Sequence, residues 1–287
     1  MTGIRPLTPT FGAEVIGMDI AHIGQETAAA CFALFDRHAV CVFRDSGLDD
    51  AAHVAFSRLF GELEHAPRAR TANPPRFAFP ELFDAGNLDG AGNIVVDERR
   101  RLFNRGNQQW HTDSSFRTER ASYSLLLAHV TPPEGAETLF ADLRAAYRAL
   151  PPALRDRIQG LEAEHSIWHS RKLAGFPEPT PEELALIPTA RQPLVLRHPR
   201  TQEDSLYLAR HASHIIGLPQ DESDALLAEL IDFATQPQFV YTHQWREGDL
   251  VVWDNRCTMH RATPFDDRRY PRDMRRTTVR DRPRIAA

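Results

Sequence analysis

Residues 248–261 read GDLVVWDNRCTMHR, which is a strand–turn–strand pattern. The apolar run Leu250–Trp253 has the length and composition of a buried β-strand, and Asp254–Arg256 supplies the turn. A second short strand then carries His260. We therefore predict a β-rich fold in which this histidine projects from a strand.

Runs of similar β-prone character recur along the chain. We predict strands at 40–43, 123–129, 137–141, 194–197, 205–208, 239–243, 249–253, 257–261 and 274–279, two short strands within 4–20, and a buried strand at 165–169. Helical spacing of apolar residues predicts helices at 24–38, 49–61, 142–150, 153–161 and 223–235. Many short strands with a few helices predict a mixed β fold: a double-stranded β-helix (jelly roll, cupin-like) core decorated by α-helices.

Composition excludes several classes of protein. The chain has 287 residues, a length that suits a single domain over 1–287, and its net charge of −5 lacks the basic excess of a nucleic-acid-binding protein. No run of about 18 apolar residues is present, so no membrane span is expected, and the N-terminus lacks a secretory signal pattern. The three cysteines are far apart in sequence, which is typical of free thiols in a reducing cytoplasm.

Residues 62–109 are rich in Pro, Gly, Asn and Arg and predict an irregular stretch. A stretch this long inside a compact domain is usually a lid or a substrate-binding loop. The alternative is a disordered surface insertion.

The sequence NQQWHTDSSF at 107–116 contains a candidate metal site. His111 and Asp113 are two residues apart, so on a strand their side chains face the same side. With His260 as a third ligand they form the two-histidine, one-carboxylate triad of non-haem Fe(II) oxygenases, which leaves positions open for a cosubstrate and O2. Taken alone, the His-x-Asp pattern also arises by chance or in a solvated turn.

Residues 272–279 read RDMRRTTV and place Arg272 and Arg276 four apart. An even separation puts both on one face of a strand. Each guanidinium binds a carboxylate through two hydrogen bonds, so the pair suits two acids near a metal. The alternative is a solvated basic strand.

Five motifs carry a resemblance to a known family. They are WHTDSSF (110–116), DLRAAYRALP (142–151), ARHASHIIGLP (209–219), GDLVVWDNRCTMHR (248–261) and RDMRRTT (272–278). Together they resemble the TauD/TfdA family of Fe(II)- and 2-oxoglutarate-dependent dioxygenases, and most closely its 2,4-dichlorophenoxyacetate (aryloxyalkanoate) dioxygenase branch. The resemblance covers nearly the whole chain, from 42 to 278.

The resemblance implies a role for each matching residue. His111, Asp113 and His260 match the catalytic iron ligands. Thr138 and Arg272 match the residues that bind the far carboxylate of the cosubstrate 2-oxoglutarate. Arg272 follows His260 by 12 residues where the family has 11, which places an extra residue in the loop 263–271.

The substrate-binding candidates are Arg276, Asn107, Ser115 and Arg76. Arg276 matches the arginine that binds the acidic group of the substrate. Asn107 lies four residues before the first histidine, where the family has a polar active-site residue. Ser115 belongs to the WHTDSSF motif, and Arg76 is a candidate for a second substrate contact.

The implied activity uses Fe(2+), 2-oxoglutarate and O2 to hydroxylate the carbon next to the ether oxygen of an aryloxyalkanoic acid. The products are a phenol, a 2-oxo acid such as glyoxylate, succinate and CO2. Alternatives are the same chemistry on taurine, another alkylsulfonate or another small carboxylate, a zinc hydrolase with the same ligands, or a non-catalytic 2-oxoglutarate-binding module. We expect a small anionic substrate, no nucleic-acid or membrane partner, and a cytoplasmic homo-oligomer.

Overall fold

The computed structural model describes residues 3–22, 24–65, 76–95 and 98–282. Its strands are β1 (Gly3–Pro6), β2 (Ala13–Ile16), β3 (Val40–Phe43), β4 (Phe83–Asp84), β5 (Ala121–Val130), β6 (Thr138–Asp142), β7 (Glu162–His165), β8 (Ala190–Pro193), β9 (Val195–Arg197), β10 (Asp204–Leu206), β11 (Ala212–Ile215), β12 (Val240–His243), β13 (Leu250–Asp254), β14 (Thr258–Ala262) and β15 (Asp273–Arg280). Its α-helices are α1 (Gln25–His38), α2 (Asp50–Arg58), α3 (Glu98–Asn107), α4 (Leu143–Ala149), α5 (Pro152–Ile158), α6 (Ile167–Leu173), α7 (Pro181–Leu186) and α8 (Gln220–Ala234).

Two sheets face each other across the centre of the molecule. The larger has seven strands in the order β1-β2-β3-β13-β5-β15-β4, and the smaller has the order β12-β6-β14. Every pairing in these two sheets is antiparallel except that of β2 with β3. The predicted jelly-roll core decorated by helices is confirmed.

The period-two alternation of β13 separates the hydrophobic cores. Val251 and Trp253 point into the core between the two sheets, where they join Phe140 of β6. Leu250 and Val252 point to the opposite face, which α1 and α2 cover. A third core lies under α4 and α8, on the outer face of the smaller sheet. Both faces of the central strands are therefore buried, which holds their inward side chains rigidly.

Most predicted elements are confirmed, and two predictions are wrong. Residues 62–109 are not wholly irregular, because β4 lies there and Glu98–Asn107, a run that opens with good helix formers, folds as α3. Residues 66–75 and 96–97 of that stretch lie outside the described residues. The strand expected at 165–169 ends at His165, because the Ser166 hydroxyl accepts hydrogen bonds from the N–H groups of Trp168 and His169 and so starts α6.

Within the described ranges, the protein has no helix with the length and apolar character needed to cross a membrane.

Candidate active site

His111 and His260 are brought face to face by the backbone. His111 forms an isolated antiparallel bridge with His260 of β14. The N–H of each residue donates to the carbonyl of the other, at 3.0 and 2.8 Å. Directly opposed residues project to the same side of a sheet, and the two imidazole centroids are 4.2 Å apart. Folding thus joins two histidines that are far apart in sequence.

Asp113 reaches the same point from a turn. The prediction that it shares a regular strand with His111 is wrong, since the chain turns at Asp113 and Ser114 has a φ of 54°. The Asn255 side-chain oxygen accepts from the Asp113 N–H at 3.2 Å, and Ser124 donates to the Asp113 carboxylate at 2.7 Å. These two contacts, from the larger sheet and its turn, aim the carboxylate at the histidines.

Three potential ligand atoms converge in this arrangement. The Nε2 atoms of His111 and His260 lie 3.9 and 3.8 Å from the Asp113 carboxylate oxygens. One ligand atom from each of the three residues lies within 4.8 Å of the others, and all three residues are buried. At these separations the imidazoles do not hydrogen-bond the carboxylate, so lone pairs face a common point.

The protonation states of these three side chains favour metal binding. His111 Nδ1 lies 2.8 Å from the Gln109 carbonyl, which only accepts, so Nδ1 carries the proton and Nε2 presents its lone pair. Burial lowers the pKa of both His111 and His260 and keeps them neutral. Burial alone raises the pKa of Asp113, but the Arg276 guanidinium and the two imidazoles outweigh burial and hold that pKa well below its usual range.

A small cavity of about 70 Å³ opens beside the three residues. Thr138, Arg272, Arg276 and Asn107 all line it, together with His111. The even spacing of Arg272 and Arg276 does bring both to one side, since each borders this cavity. Four of the sequence-predicted cosubstrate and substrate residues therefore surround the candidate metal site.

Arg272 forms no salt bridge with the acidic residues that the structure describes. Its Nη1 donates to the Ala85 carbonyl, while its buried Nε has no hydrogen-bond partner in the described part of the chain. Burial lowers the pKa of Arg272 to about 10, and Asp84 offsets this only in part. A buried guanidinium in this state is stabilised by a carboxylate ligand, so the site fits an acid.

Asn87 anchors the loop 263–271. Its side-chain amide donates to the carbonyls of Asp267 and Tyr270, both at 2.9 Å, and its side-chain oxygen accepts from the Arg272 N–H at 2.7 Å. The loop 263–271 is therefore tied to the backbone of Arg272, whose side chain lines the cavity.

Arg276 contacts the candidate metal site itself. Its Nη1 donates to Asp113 Oδ1, and its guanidinium lies 5.0 Å from the centroid of the Phe83 ring. Its Nε is buried without a partner among the described residues. One guanidinium therefore both orients Asp113 and keeps donors for a second anion.

Two further candidates lie away from the cavity. Arg76 forms ion pairs with Asp84 and Asp273, at 3.2 and 2.7 Å, which neutralise its charge. The fully buried Ser115 hydroxyl lies 2.9 Å from Nδ1 of His211 and 3.0 Å from Nδ1 of His165. Neither residue borders the cavity, and both remain predictions as substrate contacts.

Three residues that shape the site were not predicted from the sequence. They are Ser124, Asn255 and Trp245, which hold Asp113 and Thr138 in place. Asn255 lies inside the quoted motif 248–261, directly after the predicted strand, and that position was its only local signal. Ser124 and Trp245 carry no pattern of their own, because their partners are distant in sequence.

Comparison with known proteins gives one consistent result. Residues 3–278 match the family described as "Taurine catabolism dioxygenase TauD, TfdA family". The chain is 41% identical, over 96% of its length and 97% of the relative's, to an alpha-ketoglutarate-dependent 2,4-dichlorophenoxyacetate dioxygenase of Cupriavidus pinatubonensis. It is 37% identical, over 92% and 90%, to an (S)-phenoxypropionate/alpha-ketoglutarate-dioxygenase of Sphingobium herbicidovorans. The crystal structure of AAD-2 in complex with Mn(II) and N-oxalylglycine superimposes with a TM-score of 0.90, at 40% identity and full coverage of both chains.

Proposed function

This chain belongs to the taurine catabolism dioxygenase TauD/TfdA family of 2-oxoglutarate-dependent non-haem iron dioxygenases, and from that premise we propose that it oxidises an aryloxyalkanoic acid. The observation that carries the proposal is one cavity that borders both a three-ligand cluster and two guanidiniums with unpaired N–H groups. Two such guanidiniums suit two acids, the cosubstrate and the substrate.

The residues present fit the iron and the cosubstrate. His111, Asp113 and His260 would hold Fe(II), since two neutral imidazoles and one carboxylate are the donor set of this class of site. Thr138 and Arg272 would bind the far carboxylate of 2-oxoglutarate. When bound, iron with 2-oxoglutarate and O2 supplies the oxidant, and succinate and CO2 are released.

The protein itself contributes orientation and exclusion of water. Ser124 and Asn255 keep the Asp113 carboxylate aimed at the histidines. Arg276 would bind the substrate carboxylate through its remaining N–H groups, beside the metal but not on it. Asn107, at the end of α3, would contact the substrate at the exposed side of the cavity.

The net reaction follows from where the substrate is anchored. A carboxylate held by Arg276 places the carbon between carboxylate and ether oxygen next to the metal site. Hydroxylation of that carbon gives a hemiacetal, which collapses to a phenol and glyoxylate or a related 2-oxo acid. The proton lost by the hemiacetal hydroxyl is balanced by protonation of the departing phenolate.

The test is succinate release by the Fe(II)-loaded enzyme with a panel of substrates. The panel holds 2,4-dichlorophenoxyacetate, (R)- and (S)-2-aryloxypropionates, and taurine as an alkylsulfonate. We expect stimulation by at least one aryloxy acid, with an equimolar phenol. Stimulation by taurine alone would mean that the substrate is an alkylsulfonate and not an aryloxy acid. Turnover without O2 would instead favour a hydrolase. Binding of 2-oxoglutarate without any turnover would favour a non-catalytic module.

The remaining features are part of the same proposal. We propose a single dioxygenase domain over 1–287 with a substrate lid within 62–109, working in the cytoplasm as a homo-oligomer without nucleic-acid or membrane partners. The cysteines of the described chain are free and buried, in keeping with a reducing compartment. Light scattering on the purified protein measures the oligomeric state directly.

A further inference from the structure

Trp245 lines the outer of two adjoining cavities near the candidate metal site. It lines an outer cavity of about 380 Å³, which shares Ala136 and Arg272 with the inner cavity beside the metal site. It does not border the inner cavity itself. Its indole therefore forms part of the wall behind the place where Thr138 and Arg272 would hold the far carboxylate of 2-oxoglutarate.

The indole makes one directional contact through this wall. Trp245 Nε1 donates to Thr138 Oγ1 at 3.0 Å. An indole N–H is only a donor, so the Thr138 oxygen is the acceptor and its own proton must point elsewhere. Within the described ranges that hydroxyl has no other hydrogen-bond partner, and Thr138 is 4% exposed. The hydroxyl proton is thus left for a ligand in the inner cavity.

The position of Trp245 is itself supported from behind. His243 lies directly opposite Thr138 in the pairing of β12 with β6, and its ring meets the Trp245 indole edge to face, with centroids 4.5 Å apart. His243 Nε2 lies 3.2 Å from the Asp249 carboxylate, which also accepts from Arg44. The buried His243–Asp249 pair fixes the ring that the indole packs against, so the indole has little freedom to turn away.

We infer that Trp245 is a positioning residue for 2-oxoglutarate: its N–H orients the Thr138 hydroxyl so that the O–H donates to the far carboxylate of the cosubstrate. Without the N–H, the hydroxyl is free to rotate among its staggered positions and the bond to the carboxylate loses its preset direction. The inference rests on the proposed role of Thr138.

The test is the variant Trp245→Phe, which keeps an aromatic wall and removes the N–H. The dissociation constant of N-oxalylglycine, an analogue of 2-oxoglutarate, is measured by titration calorimetry on the Mn(II)-loaded protein. We expect it to rise about threefold to tenfold, the value of one ordinary hydrogen bond, while Mn(II) affinity is unchanged. In turnover, KM for 2-oxoglutarate rises and kcat stays within about twofold. The matched control is Trp168→Phe, whose indole N–H donates to the Ile187 carbonyl at 3.2 Å, and it leaves the constant unchanged.

A double-mutant cycle separates positioning from general structure. In a Thr138→Val background the hydroxyl is absent, so Trp245→Phe then adds less than about twofold. An equal effect in both backgrounds, or a lowered melting temperature with unchanged binding, overturns the inference. If the wild-type protein itself does not bind N-oxalylglycine, the proposed function fails together with the inference. Binding by the wild type that Trp245→Phe does not weaken overturns the inference alone.

Discussion

Two of the clusters that histidine, aspartate and arginine side chains form in the described interior of this protein differ in their chemistry. The open cluster is His111, Asp113, His260 and Arg276. The closed cluster is His198, Asp254 and Arg256. Both draw on the motif 248–261, and both place a carboxylate next to imidazole and guanidinium groups in a buried setting. They differ in where the protons lie.

In the closed cluster each contact with the carboxylate is a hydrogen bond. His198 Nδ1 accepts from the Thr201 N–H at 3.1 Å, so Nε2 carries the proton that it donates to Asp254 at 3.0 Å. Arg256 donates to both oxygens of the same carboxylate, at 2.8 and 2.6 Å. The carboxylate has its partners at hydrogen-bonding distance, which leaves no common point for a cation.

In the open cluster the imidazoles turn the other way. His111 Nδ1 donates a hydrogen bond to the Gln109 carbonyl, and the Nε2 lone pair faces Asp113 across 3.9 Å. His260 Nδ1 and Arg276 Nε lack partners within the described residues. Residue type and burial alone therefore do not make a metal site. The imidazole tautomer, which one carbonyl sets at His111, separates the two clusters.

Asp113→Ala is expected to have the largest effect. It removes the only carboxylate of the candidate triad, so Fe(II) binding is lost and succinate release falls by at least about three orders of magnitude. Metal content by atomic emission and succinate release check this. The control is Asp232→Ala, an exposed aspartate of α8, which retains both. Full iron affinity in Asp113→Ala would show that the open cluster is not the metal site.

Arg256→Gln tests the closed cluster in the opposite sense. It leaves Asp254 charged and buried with one partner fewer, so the free energy of unfolding falls by about 3–5 kcal/mol. Iron affinity and kcat of the folded protein stay at the wild-type values. Urea denaturation of the metal-free protein measures the loss, with the exposed Arg210→Gln as control. A loss below about 1 kcal/mol would mean that the closed cluster is not a structural element.

Arg276→Gln sharpens the difference between the two arginines. We expect KM for the aryloxy acid to rise about 30-fold to 100-fold, because a charged carboxylate loses a guanidinium partner. The stability of the iron-loaded protein changes less than in Arg256→Gln, because bound iron would still neutralise the Asp113 carboxylate. The reciprocal control is Arg272→Gln, which is expected to raise KM for 2-oxoglutarate instead. Steady-state kinetics with each substrate varied in turn distinguishes them, and an unchanged KM for the aryloxy acid in Arg276→Gln would remove its assigned role.

The sequence predicted the parts of the site that depend on local pattern. The strands around His260 and the even spacing of Arg272 and Arg276 follow from alternation of apolar and polar residues, and alternation is local. The turn at Asp113 was not predicted, because Ser114 adopts a left-handed φ that its residue type does not announce. Residue types and spacing offered His111, Asp113 and His260 as candidate ligands, and the family resemblance implied the same three residues.

What the sequence could not predict is the set of contacts that leaves Asp113 open and Asp254 closed. Asp113 and Asp254 are each one residue in a short polar run, and their difference comes from Gln109 and His198. The partner of Asp254 is 56 residues away in sequence, so no local pattern carries it. The role of Trp245 could not be predicted for the same reason, since its contact with Thr138 spans 107 residues.

The smallest expected effect concerns a third kind of buried histidine, one with no carboxylate at all. His53 of α2 is fully buried beside Thr277, and its Nδ1 has no partner in the described ranges. Burial lowers the pKa of His53 to about 3. The unfolded chain takes up a proton on this residue below about pH 6.5, whereas the folded chain does not until about pH 3. Stability contributed by the neutral form is therefore present above pH 6.5 and is lost as the pH falls towards 3.

His53→Gln isolates this contribution. Between pH 7.5 and 5.5 the wild-type protein should lose about 1.4 kcal/mol more unfolding free energy than the variant, because only the wild-type unfolded chain gains this proton. Urea denaturation of both metal-free proteins at the two pH values measures the difference. An equal pH dependence in wild type and His53→Gln would mean that His53 takes up a proton as readily in the folded protein as in the unfolded chain. Burial alone would then not suffice to keep an imidazole neutral. The neutral state of the two imidazoles in the open cluster would depend on their hydrogen-bond geometry as well.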